Sequence, residues 1–217
     1  MPREDPPRPR EPRTRDAEDP VYPPREDSRM LLPFARASAG LSLLELCAGS
    51  GIASLEAARV GARVVATDRN PRALRDLRDR ALRERLDVQA VRADLGLGLG
   101  RFDRVLANPP YLPTSPEQRD PDPWHNLALD GGPDGCRVTA RIVAQLADHL
   151  HPGGSGFVVI SSVQAPRALN DIVDRWTTAG GRREAVATRA LEGERLEVWR
   201  FSLESGDAPV SGNARPA

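Results

Sequence analysis

Residues 43–51 read Leu-Leu-Glu-Leu-Cys-Ala-Gly-Ser-Gly, and this stretch decides the fold. The apolar run from Leu41 to Leu46 predicts a short buried strand, and the small residues after it predict a turn before a helix over 52–59. Gly49 and Gly51 allow the backbone to turn tightly and to approach a ligand closely. A strand, a glycine turn and a helix start form the first half of a nucleotide-binding crossover, although glycine turns after strands also occur for purely structural reasons.

Acidic residues follow the next two predicted strands. The second strand, over 63–67, ends at Asp68, about 20 residues past the glycine turn, where an acid hydrogen-bonds a ribose diol in such folds. The third strand, over 87–92, is followed by Asp94. Because ligands of open α/β sheets bind at the carboxyl ends of the strands, we expect the glycine turn and both acids to form one nucleoside site.

The fourth predicted strand, over 104–107, leads into Asn108-Pro109-Pro110-Tyr111, which indicates the chemistry. Two consecutive prolines end the strand and remove two backbone N–H donors, so the side-chain oxygen of Asn108 and the carbonyl of Pro109 can both accept hydrogen bonds. Tyr111 adds a flat ring face. These groups suit a planar –NH2 group, whose nitrogen is a poor nucleophile and must be oriented towards an electrophile.

This motif, with Glu-x-x-x-Gly-Ser-Gly upstream, resembles the S-adenosylmethionine-dependent N-methyltransferases of the HemK/PrmC type, which methylate a glutamine side chain in translation release factors. The segment at 21–28, Val-Tyr-Pro-Pro-Arg-Glu-Asp-Ser, is similar to the Tyr-x-Pro-x-Glu-Asp-Thr segment of the short eukaryotic and archaeal branch. Residues 129–135, Leu-Asp-Gly-Gly-Pro-Asp-Gly, resemble the Gly-Gly-x-x-Gly substrate loop. The similarity covers roughly Val21 to Glu204.

The resemblance implies a fold, a cofactor and a site. The alternation of strands and helices predicts a parallel α/β sheet, and the resemblance implies the seven-stranded Rossmann-like methyltransferase variant, whose last strand is antiparallel. The implied cofactor is S-adenosylmethionine. The residues implied to contact it are Ser28, Glu45, Cys47, Gly49, Gly51, Asp68, Asp94, Leu95 and Asn108. Catalysis is assigned to Asn108, Pro109, Pro110 and Tyr111. Cys47 stands where the common Gly-x-Gly-x-Gly pattern has its first glycine, and we expect looser packing there.

Composition limits the other possibilities. The chain has 217 residues with 31 basic and 31 acidic side chains, every basic one an arginine, so no net field attracts nucleic acid. Two cysteines, no long apolar run and no apolar leader favour a cytoplasmic protein without a membrane span. We predict one domain over 21–204, flanked by disordered tails at 1–20 and 205–217. No metal site is predicted.

Several helices and one long loop complete the prediction. A helix is expected over 29–38, capped by Glu26-Asp27-Ser28, and further helices are expected over 71–86, 137–150 and 166–179. A fifth strand is expected over 157–160. The proline-rich stretch from Leu112 to Cys136 is predicted as a long functional loop. It contains Trp124, a candidate wall of the substrate groove, and His125, which is a weak candidate for a general base because an amide nitrogen need not lose its proton before it attacks a sulfonium.

Three other functions stay open at this stage. Nucleobase amines present the same planar –NH2 group, although enzymes that methylate them usually add a recognition domain or a basic cleft. The chain could also methylate a small molecule or peptide, or keep the fold as a non-catalytic binding module. The separate N-terminal domain of the long bacterial-type enzymes is not expected. The resemblance implies a release factor as substrate, and the short branch typically works with a small zinc-binding activator subunit, which is the partner that the resemblance implies.

Overall fold

The computed structural model describes residues 23–203 of the chain. The predicted tails, Val21 and Tyr22 of the quoted segment, and the domain limit at Glu204 lie outside the described residues. The strands within the described part are β1 (Ser42–Leu46), β2 (Arg63–Asp68), β3 (Val88–Arg92), β4 (Phe102–Ala107), β5 (Leu150–Ser161), β6 (Gly181–Leu191) and β7 (Glu194–Leu203). The helices are α1 (Glu26–Arg29), α2 (Leu32–Arg36), α3 (Ile52–Arg59), α4 (Pro71–Glu84), α5 (Pro123–Leu129), α6 (Arg137–His149) and α7 (Pro166–Thr178), with a 3₁₀ turn at Pro116–Gln118.

The strands form one sheet in the order β3-β2-β1-β4-β5-β7-β6. The strands β1 to β5 pair in parallel, whereas β7 runs antiparallel to both β5 and β6. The predicted fold class, a mostly parallel seven-stranded α/β sheet with an antiparallel last strand, is therefore confirmed.

Apolar side chains fill both faces of the sheet, which explains why its strands read as continuous hydrophobic runs. On one face, Leu44 of β1 and Val105 of β4 belong to a buried cluster that includes residues of α6 and α7. On the other face, Leu43 and Leu106 pack with residues of α2 and α3. The central strands thus form a layer between two layers of helices, and their carboxyl ends are open for ligands.

Strand register brings the predicted site residues together. Leu46 is the last residue of β1, and it pairs with Thr67 of β2 and with Ala107 of β4. The residues that follow these three positions, Cys47, Asp68 and Asn108, therefore leave the sheet at the same edge.

Three predicted elements differ from the structure. The helix expected over 29–38 is instead the two short helices α1 and α2, and Ser28 lies inside α1. The loop predicted from Leu112 to Cys136 contains α5, which begins at Pro123 because the Asp122 side chain accepts a hydrogen bond from the backbone N–H of Trp124 at 2.9 Å. The fifth strand, expected over 157–160, extends from Leu150 to Ser161. In the part of the chain that the structure describes, no helix has the length and apolarity needed to cross a membrane.

Candidate active site

A cleft of about 370 Å³ lies at the carboxyl ends of β1 to β4, within the range of ligand pockets of about 300–1,000 Å³. It is the topological position where open α/β sheets bind their ligands. The predicted site residues that line it are Ser28, Glu45, Cys47, Gly49, Asp68, Asp94, Leu95, Asn108, Pro109, Pro110 and Tyr111. Gly51 is not among the lining residues, and its contact with a cofactor stays a prediction.

The glycine turn after β1 is close-packed. Gly51 is buried at φ +65°, and a Cβ atom there would collide with the buried Leu77 side chain on α4, so position 51 has no room for a side chain. Cys47 also has a positive φ, 54°, at a position where the common pattern has glycine. A non-glycine residue in the left-handed region costs about 1–2 kcal/mol. The backbone at Cys47 is therefore strained, and contacts of the surrounding turn must compensate for this cost. Burial raises the pKa of the Cys47 thiol, so the side chain behaves as a small neutral group.

Asp68 connects the ends of β1 and β2. Its two carboxylate oxygens accept hydrogen bonds from the backbone N–H groups of Gly49, at 2.8 Å, and Asn70, at 2.7 Å. Burial raises the pKa of Asp68, and these N–H groups oppose the shift. Each carboxylate oxygen has a second lone pair, so Asp68 can hold the glycine turn and still accept from the two hydroxyls of a ribose.

Glu45 lies in β1 and is buried below the glycine turn. Its Oε2 atom accepts from the backbone N–H of Ser54, at 2.8 Å, and from the Ser54 hydroxyl. Burial raises the pKa of Glu45 to about 7, against the lowering effect of both bonds from Ser54. The side chain therefore carries a proton for part of the time near neutral pH, and it can donate as well as accept a hydrogen bond at the cleft.

Asp94, beyond the end of β3, is paired with Arg141 of α6. The Arg141 Nη2 atom donates to Asp94 Oδ2 at 2.8 Å, and this bond lowers the pKa of Asp94. Both side chains are about two-fifths exposed, so the pair orients Asp94 at the rim of the cleft without burying its charge. Arg141 was missed by sequence reasoning, because only the folded chain brings this residue of α6 to Asp94, 47 residues away in sequence.

The Asn108 side chain has one hydrogen-bonded end and one open end. Its Nδ2 atom donates to Ser28 Oγ at 3.1 Å. Its Oδ1 atom is buried and has no hydrogen-bond partner among the described residues. A buried carbonyl oxygen without a donor is costly, and this one borders the cleft. The site therefore provides an acceptor for a donor group of a bound molecule.

Tyr111 is fixed from α1. Its hydroxyl donates to Oδ2 of Asp27 at 3.1 Å, and Asp27 is itself buried. Asp27 was missed as a site residue by sequence reasoning, which treated it only as part of a helix cap. The signal available in the sequence was its place beside Ser28 in the Glu-Asp-Ser segment.

The Gly-Gly-x-x-Gly segment packs directly behind Tyr111. Leu112 and Asp130 form a β-bridge, with the backbone N–H of Leu112 donating to Leu129 at 3.0 Å and that of Gly131 donating to Leu112 at 2.9 Å. Gly135 has φ +73°, and a Cβ atom there would lie 2.4 Å from the carbonyl oxygen of Tyr111. We call this pairing of the two chain segments the clasp. It brings the predicted substrate loop against the Asn-Pro-Pro-Tyr motif and encloses α5, whose Trp124 lines the cleft.

His125, the weak candidate for a general base, does not line the cleft. Its Nδ1 atom lies 3.1 Å from Asp120 Oδ2, and the side chain is about half exposed. The structure therefore places His125 on α5 with its ring against Asp120, away from the residues that line the cleft. Among the described residues, no group of three or more histidine, cysteine and acidic side chains is arranged to hold a metal ion.

This arrangement defines a class of protein. A seven-stranded α/β sheet with an acid at the end of β2, a second acid beyond β3 and an open acceptor after β4 is the arrangement of an S-adenosylmethionine-dependent methyltransferase. The family described as "Methyltransferase small domain" matches residues 26–184. The chain belongs to this methyltransferase family, its activity is methyl transfer and its cofactor is S-adenosylmethionine, as predicted.

Relatives and solved structures agree with this assignment. A protein of Methanocaldococcus jannaschii, named as a proposed protein N5-glutamine methyltransferase, is 32% identical over 83% of this chain and 92% of its own length. The release factor glutamine methyltransferase of Deinococcus radiodurans is 36% identical over 74% of this chain, which spans only 60% of that enzyme. In the E. cuniculi Mtq2–Trm112 complex, responsible for methylation of the eRF1 translation termination factor, one chain is similar at 25% identity with a TM-score of 0.64, over 85% of this chain and 99% of that one.

Proposed function

We propose that this enzyme methylates the side-chain amide nitrogen of a glutamine in a translation release factor. The observation that carries the proposal is the buried Asn108 Oδ1 atom, which has no donor among residues 23–203 and borders the cofactor cleft. A primary amide offers the N–H donor that this oxygen needs. The names of the relatives from M. jannaschii and D. radiodurans, both glutamine methyltransferases, support the same substrate.

The geometry supports a mechanism in which the protein orients the substrate amide and no side chain acts as a general base. S-Adenosylmethionine, when bound, supplies an electrophilic methyl group on a sulfonium. Asn108 Oδ1 and the Pro109 carbonyl accept the two amide hydrogens, so the nitrogen lone pair, otherwise delocalised, is turned towards that methyl group. With the cofactor bound, Asn108 and Pro109 would hold the nitrogen facing the methyl group; the nitrogen would take the methyl group, the cofactor would leave as a neutral thioether, and the proton would pass from the nitrogen to water. Tyr111, held by Asp27, bounds the flat face of the amide.

Residue roles for the cofactor are also part of the proposal. Asp68 accepts from the ribose hydroxyls, Asp94 with Leu95 bounds the adenine, and Ser28, Glu45, Cys47 and Gly49 line the remaining path towards Asn108.

We include a small partner subunit in the proposal, because the similar Mtq2 chain is solved in complex with Trm112. Zinc binding by such a subunit rests only on the family resemblance. The proposed substrate acts in translation, which places the reaction in the cytoplasm.

The direct test is mass spectrometry of a release factor incubated with the full chain and S-adenosylmethionine, with and without a candidate partner subunit. We expect one methyl group on the glutamine of its Gly-Gly-Gln loop. Incubating a cell lysate with radiolabelled cofactor would also detect a substrate other than the release factor. A labelled nucleic acid or metabolite beside an unmodified release factor would contradict the proposed substrate and leave only the methyltransferase class.

The mechanism has its own test in Asn108→Ala. Removing an orienting acceptor typically costs about 100-fold or more in turnover, so we expect kcat to fall by at least that factor. The affinity for S-adenosylhomocysteine, measured by calorimetry, should change much less. Asn170→Ala, an exposed change on α7, is the matched control and should keep full turnover. Turnover that survives in Asn108→Ala would show that the amide is oriented by other groups.

A further inference from the structure

Four side chains form a continuous set of hydrogen bonds between α1 and the Asn-Pro-Pro-Tyr motif. Tyr111 donates to Asp27 Oδ2 at 3.1 Å. The other oxygen of Asp27 accepts from the backbone N–H of Ser28 at 2.6 Å and from the Ser28 hydroxyl at 3.3 Å. Ser28 Oγ in turn accepts from Asn108 Nδ2 at 3.1 Å. The bonds made by Asn108 and Tyr111 span 80 and 84 residues of sequence, and the buried carboxylate of Asp27 connects them.

The direction of these bonds decides which end of the Asn108 amide faces the cleft. An amide has an accepting oxygen and a donating nitrogen of nearly the same shape, so packing alone does not distinguish its two orientations. A serine hydroxyl has one proton to donate. If that proton went to Asn108, the amide would turn its oxygen to Ser28 and its NH2 group to the cleft, where it would repel the hydrogens of a substrate amide.

Asp27 competes for that proton. A carboxylate can only accept, and bonds to a charged acceptor are stronger than neutral ones. The Ser28 hydroxyl therefore donates to Asp27 and keeps its lone pairs for Asn108 Nδ2. The outcome is the observed one, with Asn108 Oδ1 open towards the cleft.

We propose that Asp27 is a positioning residue that sets the polarity of the Asn108 amide through Ser28. The proposal rests on the proposed role of Asn108 as the acceptor for the substrate amide. A residue in this role has no contact with the reacting atoms, and it controls which of two nearly isosteric orientations the catalytic side chain adopts. Its loss should therefore lower kcat and leave the cofactor affinity largely intact.

The experiment uses paired variants of the full chain, with kcat measured at saturating cofactor and S-adenosylhomocysteine affinity measured by calorimetry. Asp27→Ala and Ser28→Ala should each lower kcat by about 10- to 100-fold. Ser28→Thr keeps the hydroxyl and should stay within about 5-fold of the wild-type kcat. Asp27→Asn replaces a charged group that can only accept with a neutral amide that can also donate to Ser28, so it should be nearly as slow as Asp27→Ala. Glu26→Ala is the matched control, because Glu26 is the neighbouring acid on α1 and pairs with Arg29 and Arg189 instead. It should keep full turnover.

The double variant supplies a readout that a merely structural role would not give. Because Asp27 acts through Ser28, the losses of Asp27→Ala and Ser28→Ala should not multiply, and the double variant should be no slower than the slower single one. Ser28→Ala removes only one hydroxyl group. Its kcat therefore still tests the proposal if the Asp27→Ala variant fails to fold.

The outcomes separate this inference from the proposed function. If Asn108→Ala is inactive while Asp27→Ala and Ser28→Ala keep wild-type kcat, the positioning role is wrong and the role of Asn108 stands. Multiplying losses, or an Asp27→Asn variant as fast as the wild type, would also overturn the positioning role. If Asn108→Ala is itself active, the failure lies in the proposed mechanism, and the inference falls with it.

Discussion

At the scale of single residues, three of the acids that line the cleft lie in three different environments. Glu45 is buried and hydrogen-bonded to Ser54, Asp68 is bonded to two backbone N–H groups, and Asp94 is exposed beside Arg141. The pKa is raised by burial for Glu45 and Asp68 and lowered by the arginine for Asp94. One cleft thus contains acids that respond differently to pH and to substitution.

Asp68→Ala should weaken the binding of both S-adenosylmethionine and S-adenosylhomocysteine, by about 1.5–3 kcal/mol, because charge-assisted bonds to hydroxyls contribute that much. Isothermal calorimetry on the full chain measures both affinities. Asp76→Ala, an exposed acid on α4, is the matched control. Unchanged affinity in Asp68→Ala would remove this residue from the cofactor site.

Glu45 should make the stability of the cofactor-free protein depend on pH. Its folded pKa of about 7 lies above the ordinary value of 4.5, so the folded state holds the proton more tightly than the unfolded chain does. The stability that comes from this difference is fully present below about pH 4.5 and is lost as the pH rises through about 7. Glu45→Gln does not titrate, and between these pH values it should gain up to roughly 3 kcal/mol in unfolding free energy relative to the wild type.

Urea unfolding of the wild type and Glu45→Gln across this pH range checks the prediction. Asp79→Asn, on the exposed face of α4, serves as the control and should run parallel to the wild type. A constant difference between Glu45→Gln and the wild type from pH 4.5 to 7 would show that Glu45 keeps its ordinary pKa.

The sequence alone was sufficient to predict the site residues that lie at the end of a strand or directly after it. Asp68, Asp94 and Asn108 could be predicted because parallel strands bring their carboxyl ends to one edge, whatever the details of packing. Asp27 and Arg141 could not, because their roles depend on contacts with Tyr111 and Asp94 across 84 and 47 residues of sequence. The individual assignments to cofactor and substrate stay predictions.

At the scale of elements, the predicted sheet and most of its helices are confirmed, and the differences have local causes. Proline-rich sequence suggested a loop from Leu112 to Cys136, but a proline at the first helical position is favourable, and α5 begins with one at Pro123. Pro33, second in α2, likewise fits a helix start, so α1 and α2 are separate short helices. In both places the prolines stand where helices begin.

The clasp between Leu112 and Asp130 depends on a glycine. Gly135→Ala should cost more unfolding free energy than the about 1–2 kcal/mol of its positive φ alone, because the new Cβ would lie 2.4 Å from the Tyr111 carbonyl oxygen. It should also lower kcat by about 10-fold or more, since Tyr111 must shift. Thermal unfolding and methyl transfer measure the two effects.

Gly98→Ala is the control for this change. Gly98 has a similar φ of +80°, but nothing lies within 4 Å of its added Cβ, so it carries the backbone strain without the contact. Equal losses of stability and turnover in the two variants would show that the contact with Tyr111 is unimportant.

At the scale of the whole molecule, equal numbers of basic and acidic side chains, 31 of each, leave no net charge to attract a polyanion. A nucleic-acid substrate held by 6–10 phosphate contacts would lose about 10³–10⁵ in affinity between about 50 and 200 mM salt. For a release factor we expect kcat/KM to change by less than about 3-fold over the same range. Methyl transfer at the two salt concentrations checks this, and a loss of several orders of magnitude would contradict a protein substrate.

The clasp also has a consequence for how enzymes of this kind diverge. Its backbone bonds join Leu112 to Leu129 and Gly131, so both ends of the intervening segment are anchored at one point, next to Tyr111. Because the cost of closing a loop grows only slowly with its length, insertions, deletions or exchanges between these anchors would leave the anchoring point in place. Substitutions in α5 and its flanking residues can therefore change which substrate is bound. The residues that carry out methyl transfer stay the same, so substrate specificity can evolve separately from the reaction.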